Sequence, residues 1–260
     1  QLQHQKEVSF VCNVAMVVDY FDFLFLLVPK ILVVAGYTRE HYTRKTEIWS
    51  QPETRCTLPR FPLNTYGALG FWTAQGPTVC GGHVSESGGG KKCFVLNKEH
   101  QWMPIPSLTT DRVYASATEV NNDETLIIGG YDENDLKTTE LISSSGSVKG
   151  KDFPTTISRH CTIKINSTHA LVTGGHQDGP NSASTWFVDL TTTTVTPGPK
   201  MTSRRSYHGC STLKLERKTY GIVAGGYTNT ELDSTEIIDL GEDSPTWTEG
   251  MQDKSKIYDL

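Results

Sequence analysis

A short apolar run that ends in glycine recurs five times along this chain of 260 residues. The runs are ILVVAG at 31–36, PTVCGG at 77–82, TLIIGG at 125–130, ALVTGG at 170–175 and GIVAGG at 221–226. Their last glycines are 46, 48, 45 and 51 residues apart. Because repetition with a period of roughly 20–50 residues is typical of solenoids, propellers and arrays, this repeat constrains the fold more than any other feature.

Other elements recur in step with the glycines. A ring residue follows each run, namely Tyr37, His83, Tyr131, His176 and Tyr227. Further short apolar segments stand at 46–50, 93–97, 139–143, 185–189 and 235–239. Tryptophans near the ends of two units, Trp102 and Trp247, and basic residues before the next strand, Arg112, Arg159 and Arg205, complete the pattern. Short apolar or alternating runs between turn residues predict β-strands throughout.

This ensemble resembles the kelch repeat, in which a glycine doublet is followed by a short strand, a tryptophan and an arginine before the next unit. The resemblance covers about residues 31 to 253. It implies an all-β fold, a kelch-type β-propeller with five recognisable four-stranded blades. Because kelch rings usually have six or seven blades, the resemblance also implies a sixth blade, degenerate or truncated. The segments 143–153 and 191–199 lack the tryptophan, which predicts weaker outer strands in the third and fourth units.

Structural roles are expected for the glycines and the tryptophans. Glycine adopts positive φ without steric cost and lets neighbouring backbones approach closely. Tryptophans at the ends of units would fill the gaps between blades. The residues in these two groups are Gly36, Gly81, Gly82, Gly129, Gly130, Gly174, Gly175, Gly225, Gly226, Trp102 and Trp247.

The first thirty residues form an atypical apolar segment, and residues 31–260 are assigned to the propeller. The stretch Val8–Val28 is apolar but contains Asp19 and Asp22 near its middle. Since each acid at the centre of a bilayer costs about 2.5–3.5 kcal/mol, no membrane span is expected. A degenerate first blade and a signal peptide with its core at Val8–Val18 both remain open.

Composition and motifs argue against several classes of function. The net charge of −5 and the pI of about 5.9 give no general attraction to nucleic acid. The eight histidines form no H-x-x-x-H pair, and neither a P-loop nor a G-x-S-x-G elbow is present. We therefore expect no catalytic residues, no metal and no cofactor. An enzyme related to the propeller copper oxidases is the weakest alternative.

Cysteines and a sequon bear on the cellular compartment. Cys80 and Cys93 flank a loop between neighbouring strands, a geometry that suits a disulfide. Cys161 and Cys210 could face each other or be buried thiols. Asn166-Ser167-Thr168 is an N-glycosylation sequon in a predicted turn. These features favour an extracellular location, with a cytoplasmic one as the alternative.

The expected function is that of a protein–protein interaction scaffold. Loops follow the glycines at 38–45, 84–92, 132–138, 177–184 and 228–233, and their mixed charges suit a polar protein interface. The candidate residues for contact with an unidentified protein partner are Arg112, Tyr114, Arg159, His160, Arg204, Arg205, Tyr207 and His208. The alternative is a cytosolic kelch module that recruits substrates to a cullin-type ubiquitin ligase or binds actin.

Overall fold

The computed structural model describes residues 15–20, 29–37, 41–49, 58–84, 90–215 and 218–250. Within these ranges the secondary structure consists of β-strands, and no helix is present. The N-terminal sheet contains β1 (Ala15–Tyr20), β2 (Pro29–Tyr37) and β3 (Tyr42–Trp49), paired in that order. We refer to this sheet as unit one.

Units two and three each form a four-stranded antiparallel sheet and a short two-stranded ribbon. In unit two, β4 (Thr65–Tyr66) pairs with β7 (His83–Val84), and the blade contains β5 (Leu69–Thr73), β6 (Gly76–Cys80), β8 (Cys93–Leu96) and β9 (Trp102–Ile105). In unit three the blade contains β10 (Ser116–Glu119), β11 (Thr125–Ile128), β14 (Thr139–Ser143) and β15 (Gly146–Lys149), and the ribbon contains β12 (Tyr131–Asp132) and β13 (Asn134–Asp135).

Units four and five repeat the four-stranded sheet. In unit four, β16 (Ile157–Ser158) pairs with β19 (His176–Gln177), and the blade contains β17 (Cys161–Lys164), β18 (His169–Thr173), β20 (Thr185–Asp189) and β21 (Thr194–Pro197). The blade of unit five contains β22 (Gly209–Leu215), β23 (Lys218–Ala224), β24 (Thr235–Asp239) and β25 (Trp247–Glu249).

The four-stranded sheets are arranged as the blades of a β-propeller. The first strands β5, β10, β17 and β22 lie next to one another in chain order, and β1 lies beside β5. This confirms the all-β class and a β-propeller arrangement of four blades, those of units two to five. Unit one differs from the prediction, because its described part has three strands instead of four. No sheet among the described residues corresponds to the expected sixth blade.

Part of the atypical N-terminal segment belongs to unit one. Ala15–Tyr20 pairs with Pro29–Val34 as an antiparallel strand. The remaining residues of that segment, 1–14 and 21–28, lie outside the described ranges, as do residues 251–260. The signal-peptide interpretation of Val8–Val18 therefore falls mainly on residues that the structure does not describe.

The hydrophobic core lies between blades, not inside a single sheet. All four residues of β11 are buried, as are the last four of β18. One core cluster joins Leu69 and Phe71 of unit two to Ala117 and Ile127 of unit three, and a similar cluster joins units four and five. Strands that are buried on both faces read as continuous apolar runs, which explains the repeated sequence pattern.

The glycine doublet allows the backbones of neighbouring units to touch. Gly129 and Gly130 have φ angles of 58° and 104°. The N–H of Gly130 donates to the carbonyl of Ile157 at 2.8 Å, at the start of the next unit. A Cβ atom on Gly129 would stand only 2.1 Å from that carbonyl oxygen. Larger residues would therefore separate the two units. The same bond joins Gly82 to Arg112 and Gly175 to Arg205.

The tryptophans do lie between units, but the outer strands do not depend on them. The indole of Trp247 is buried in the cluster between units four and five and donates to the carbonyl of Pro199. The half-buried Trp102 makes the same bond to Pro59. Units three and four lack such a tryptophan, but their outer strands β15 and β21 still have four residues each. The lengths of these strands therefore do not support the prediction that they are weaker. Backbone pairing forms these strands, and a hydrogen bond from Ser147 to Glu140 in unit three and packing of Val195 in unit four add to it.

Two disulfides link paired or neighbouring strands. Cys80 and Cys93 face each other across β6 and β8, which confirms the predicted bridge. Cys161 and Cys210 connect the innermost strands of units four and five, with their Cα atoms 6.0 Å apart. Of the two alternatives left open for this second pair, the structure has the bonded one. Cys12 and Cys56 lie outside the described residues.

Candidate functional site

Four residues that open successive blades share an unusual backbone conformation. We call Gly67, Tyr114, Arg159 and Tyr207 the opening residues; their φ angles are 64°, 56°, 56° and 55°. The N–H of each of the last three donates to the carbonyl of the preceding opening residue at 2.9 Å. Bulky side chains rarely adopt left-handed backbone, and residues that do so are concentrated at functional sites. The opening residues therefore mark a candidate site close to the propeller axis.

Their side chains form the centre of an aromatic cluster. The rings of Tyr114 and Tyr207 meet edge to face, with centroids 5.3 Å apart. The guanidinium of Arg159 lies over the rings of Tyr114, Tyr131 and Tyr207 at 5.0, 5.3 and 5.5 Å. Its Nε also donates to the hydroxyl of Tyr207. Such cation–π contacts hold the arginine and the rings in one arrangement.

The cluster continues toward unit one. Tyr66 contacts the ring of Tyr114 at 6.0 Å and stacks on His83 at 5.0 Å. Tyr42 packs against Tyr66 and, at 5.3 Å, against Tyr37, which is 53% exposed. We define the tyrosine cluster as Tyr37, Tyr42, Tyr66, His83, Tyr114, Tyr131, Arg159 and Tyr207. It contains six of the ten tyrosines of the chain and spans all five units.

The charge of Arg159 is compensated within the site. Its Nη1 donates to Asp135 at 3.2 Å and contacts Nδ1 of His176 at the same distance. Asp135 also accepts a hydrogen bond from the hydroxyl of Ser158. Burial and the nearby arginine lower the pKa of His176, although Asp135 opposes the change. A neutral histidine and a paired arginine leave this part of the site with little net charge.

Two tyrosines of the cluster, Tyr66 and Tyr114, remain neutral phenols. Burial, reinforced by Tyr207 and Tyr66, raises the pKa of Tyr114 well above its usual value. Burial and the neighbouring Tyr42 raise the pKa of Tyr66 as well. The cluster therefore offers ring faces for packing together with hydroxyl groups for hydrogen bonding, the combination that makes tyrosine common in protein interfaces.

The loops that follow the glycine doublets carry exposed residues of both charges. The acids are Asp132, Glu133, Asp178, Glu231 and Asp233, and the bases are Arg44, Lys45, Lys91, Lys92 and Lys137. Residues 38–40 and 85–89 of these loops lie outside the described ranges. The described loops are thus polar and of mixed charge, as is the polar rim of many protein interfaces.

The structure separates the eight predicted contact residues, and two arginines are structural. Arg112 and Arg205 are completely buried. Arg112 pairs with Glu140 at 2.8 Å and donates to the carbonyls of Gly129 and Thr138. Arg205 forms the equivalent bonds to Glu236, Gly225 and Ser234. The bonds of both side chains are thus internal to the blades, and neither side chain is accessible to solvent.

The two histidines are also buried. Nε2 of His160 lies 2.7 Å from the hydroxyl of Ser116, and Nε2 of His208 lies 2.8 Å from the hydroxyl of Thr173. Their Nδ1 atoms have no hydrogen-bond partner among the described residues. Burial lowers the pKa of both histidines to about 3, with Arg205 adding to the effect at His208. They too are removed from direct contact with a partner.

Three predicted residues belong to the tyrosine cluster, namely Tyr114, Arg159 and Tyr207. Arg204 is exposed. The prediction missed Tyr66 and Asp135, and it treated Arg159 as equivalent to Arg112 and Arg205. A second repeat in the sequence could have indicated the site. The opening residues recur at intervals of 45 to 48 residues, much as the glycines do. Arg159 occupies the position of Tyr114 and Tyr207, two residues beyond that of the buried arginines.

Comparison with known proteins assigns no family to the chain. No protein-family model matches the chain, and no curated protein matches it significantly. Among the residues that the structure describes, no group of three or more His, Cys, Asp or Glu is arranged to hold a metal ion. Within the same ranges, no helix has the length and apolar character that a membrane crossing requires. The fold and the site define the chain as a β-propeller with an aromatic cluster at one end.

Proposed function

We propose that this protein is a kelch-type interaction scaffold that binds a protein partner on the tyrosine cluster. The observation that carries the proposal is the continuity of the cluster across the five units, built on opening residues in left-handed backbone. Such backbone costs about 1–3 kcal/mol per residue and persists where the surrounding structure enforces it. Binding of a partner is a function for which a strained backbone conformation would be retained.

The chemistry of the cluster supports a protein partner. Tyrosine and arginine are the residues that most often dominate interface energetics. The mutual contacts of Arg159, Tyr114 and Tyr207 fix their side chains before binding, which lowers the entropy lost in a complex. Tyr37 is an exposed member of the cluster and lies at its edge. An aromatic centre flanked by polar loops of mixed charge is the expected layout of such an interface.

The two disulfides favour a secreted or cell-surface scaffold over the cytosolic alternative. Disulfides persist in oxidising compartments and are rare in the cytosol. Recruitment of substrates to a cullin-type ubiquitin ligase and actin binding are both cytosolic functions. We therefore rank them below an extracellular interaction.

The proposal predicts that loss of the exposed ring of Tyr37 or the half-buried ring of Tyr131 weakens partner capture. In Tyr37→Ala and Tyr131→Ala variants we expect at least a tenfold loss of affinity, since truncation of an aromatic anchor costs about 1.4 kcal/mol or more. The immobilised chain would be exposed to detergent-solubilised cell-surface proteins, and captured proteins would be quantified by mass spectrometry. The affinity of the captured partner for each variant would then be measured.

The matched control is Val148→Ala, which removes an exposed apolar side chain from the outer strand β15, outside the cluster. This variant should capture the partner as the unmodified chain does. Equal binding by all variants, or loss of binding only in the control, would remove the tyrosine cluster from the proposed function.

A further inference from the structure

The only N-glycosylation sequon of the chain lies at the tip of a hairpin. Asn-X-Ser/Thr occurs once in the 260 residues, at Asn166-Ser167-Thr168. These residues connect β17 and β18 in unit four, and all three are exposed. Because the glycine doublets end the second strands, this turn lies at the opposite end of the blade from the tyrosine cluster. A group attached here would leave the proposed binding surface open.

The hydrogen bonds of the turn leave the reactive atom available. Oδ1 of Asn166 accepts from the N–H of Thr168 at 2.8 Å, from the N–H of His169 at 2.9 Å and from the hydroxyl of Thr168 at 3.0 Å. The side-chain oxygen is thereby fixed, and Nδ2 makes no hydrogen bond within the part of the chain that the structure describes. Modification of Nδ2 would break no observed contact.

A cleft of about 400 Å³ lies beside this asparagine, between units four and five. Ile165 and Leu240 contribute apolar surface to it, and Lys218 and Asp239, paired at 2.7 Å, contribute polar groups. A pyranose ring also has one apolar face and a polar edge of hydroxyl groups. The lining of the cleft therefore matches the two sides of a sugar.

We propose that Asn166 carries an N-linked glycan whose first N-acetylglucosamine rests in this cleft. In the transfer, Nδ2 forms a bond to C1 of the sugar while the bond from C1 to a lipid pyrophosphate breaks. The proton lost from Nδ2 leaves with the basic groups of the transferase, and no oxidant or reductant takes part. The donor is a lipid-pyrophosphate-linked oligosaccharide.

An independent feature supports the compartment that this reaction needs. N-glycosylation takes place in the oxidising secretory pathway, where disulfides also form. The bond between Cys161 and Cys210 joins the two units that border the cleft. The inference does not depend on the tyrosine cluster, so it can fail without consequence for the proposed function.

The modification is tested on the full chain secreted from eukaryotic cells behind an added signal peptide. Treatment with peptide N-glycosidase should lower its mass and convert Asn166 to aspartate in the tryptic peptide. Thr168→Ala should abolish the modification because the sequon is lost, whereas Thr168→Ser should retain it. An unmodified Asn166 in the secreted, disulfide-bonded protein would overturn the proposal.

The contact between the sugar and the cleft is tested separately, by comparing melting temperatures. Endoglycosidase trimming leaves a single N-acetylglucosamine on Asn166, and this form should melt at a higher temperature than the Asn166→Gln variant. In a Leu240→Ser background, which removes apolar surface from the cleft, the difference should shrink. Identical melting temperatures for the trimmed and the Asn166→Gln proteins would exclude the contact between sugar and cleft.

Discussion

Replacement of Arg112 by methionine is expected to lower the free energy of unfolding by about 3–5 kcal/mol, because it leaves Glu140 buried without its cation. Both side chains are completely inaccessible to solvent. Burial by itself raises the pKa of Glu140, but hydrogen bonds from Thr109, Ser147 and Arg112 and the charge of the arginine lower it below its usual value. The carboxylate thus stays ionised in the core and depends on this partner.

In unit four, apolar residues occupy the two positions that hold the buried ion pair in unit three. Ile157 and Trp186 occupy the places that Arg112 and Glu140 hold in unit three. A double variant, Arg112→Met with Glu140→Met, should therefore be less destabilised than the sum of the two single variants, by about 1–3 kcal/mol. Urea unfolding followed by tryptophan fluorescence measures all four proteins.

The control for this prediction is Lys164→Met. Lys164 pairs with Glu119 at 3.3 Å between units three and four, but about a third of each side chain is exposed. Loss of such a pair should cost about 0–1 kcal/mol. If Arg112→Met were no more damaging than this control, the buried pair would not contribute to the stability of the blade.

Acid is expected to unfold this protein through its two buried histidines. The pKa of His160 and of His208 is about 3 in the folded chain, below the value of about 6.5 for an unfolded histidine. The unfolded state therefore binds more protons between these values, so stability is full above pH 6.5 and falls as the pH decreases toward 3. The free energy of unfolding should be about 5 kcal/mol lower at pH 4.5 than at pH 7.

Alanine substitutions isolate this effect. The corresponding positions in units two and three are Ala68 and Ala115, which contact the second glycine of their doublets as His160 and His208 do. A His160→Ala, His208→Ala double variant should lose most of the pH dependence between 7 and 4.5, whatever its stability at neutral pH. Urea unfolding at both pH values gives the comparison. An unchanged pH dependence in the double variant would assign acid sensitivity to other groups.

The repeat can be recognised in the sequence because every glycine doublet is needed for the same backbone conformation. Positive φ at Gly129 and Gly130, and contact with the next unit, leave little choice of residue, so the doublet is present in units two to five. Unit one keeps the same conformation with Ala35 at a φ of 55°. A backbone conformation that only glycine adopts easily produces a residue pattern that can be recognised in a single sequence.

The site is less visible because one or two positions decide where a side chain points. Arg159 and Arg112 differ by two positions relative to their doublets, and one reaches the tyrosine cluster while the other is buried. His160 follows Arg159 directly and lies inside the blade interface. Arg159 has left-handed backbone and lies between β16 and β17, so residues that are close in sequence belong to separate groups in space.

Disulfide mapping tests the central claim, that the chain is a propeller whose consecutive innermost strands lie side by side. The protein would be alkylated without reduction, digested and analysed by mass spectrometry. The propeller predicts one linked peptide pair containing Cys80 and Cys93 and another containing Cys161 and Cys210, which are 49 residues apart. A bond from Cys161 or Cys210 to Cys80 or Cys93 would contradict the arrangement of blades described above.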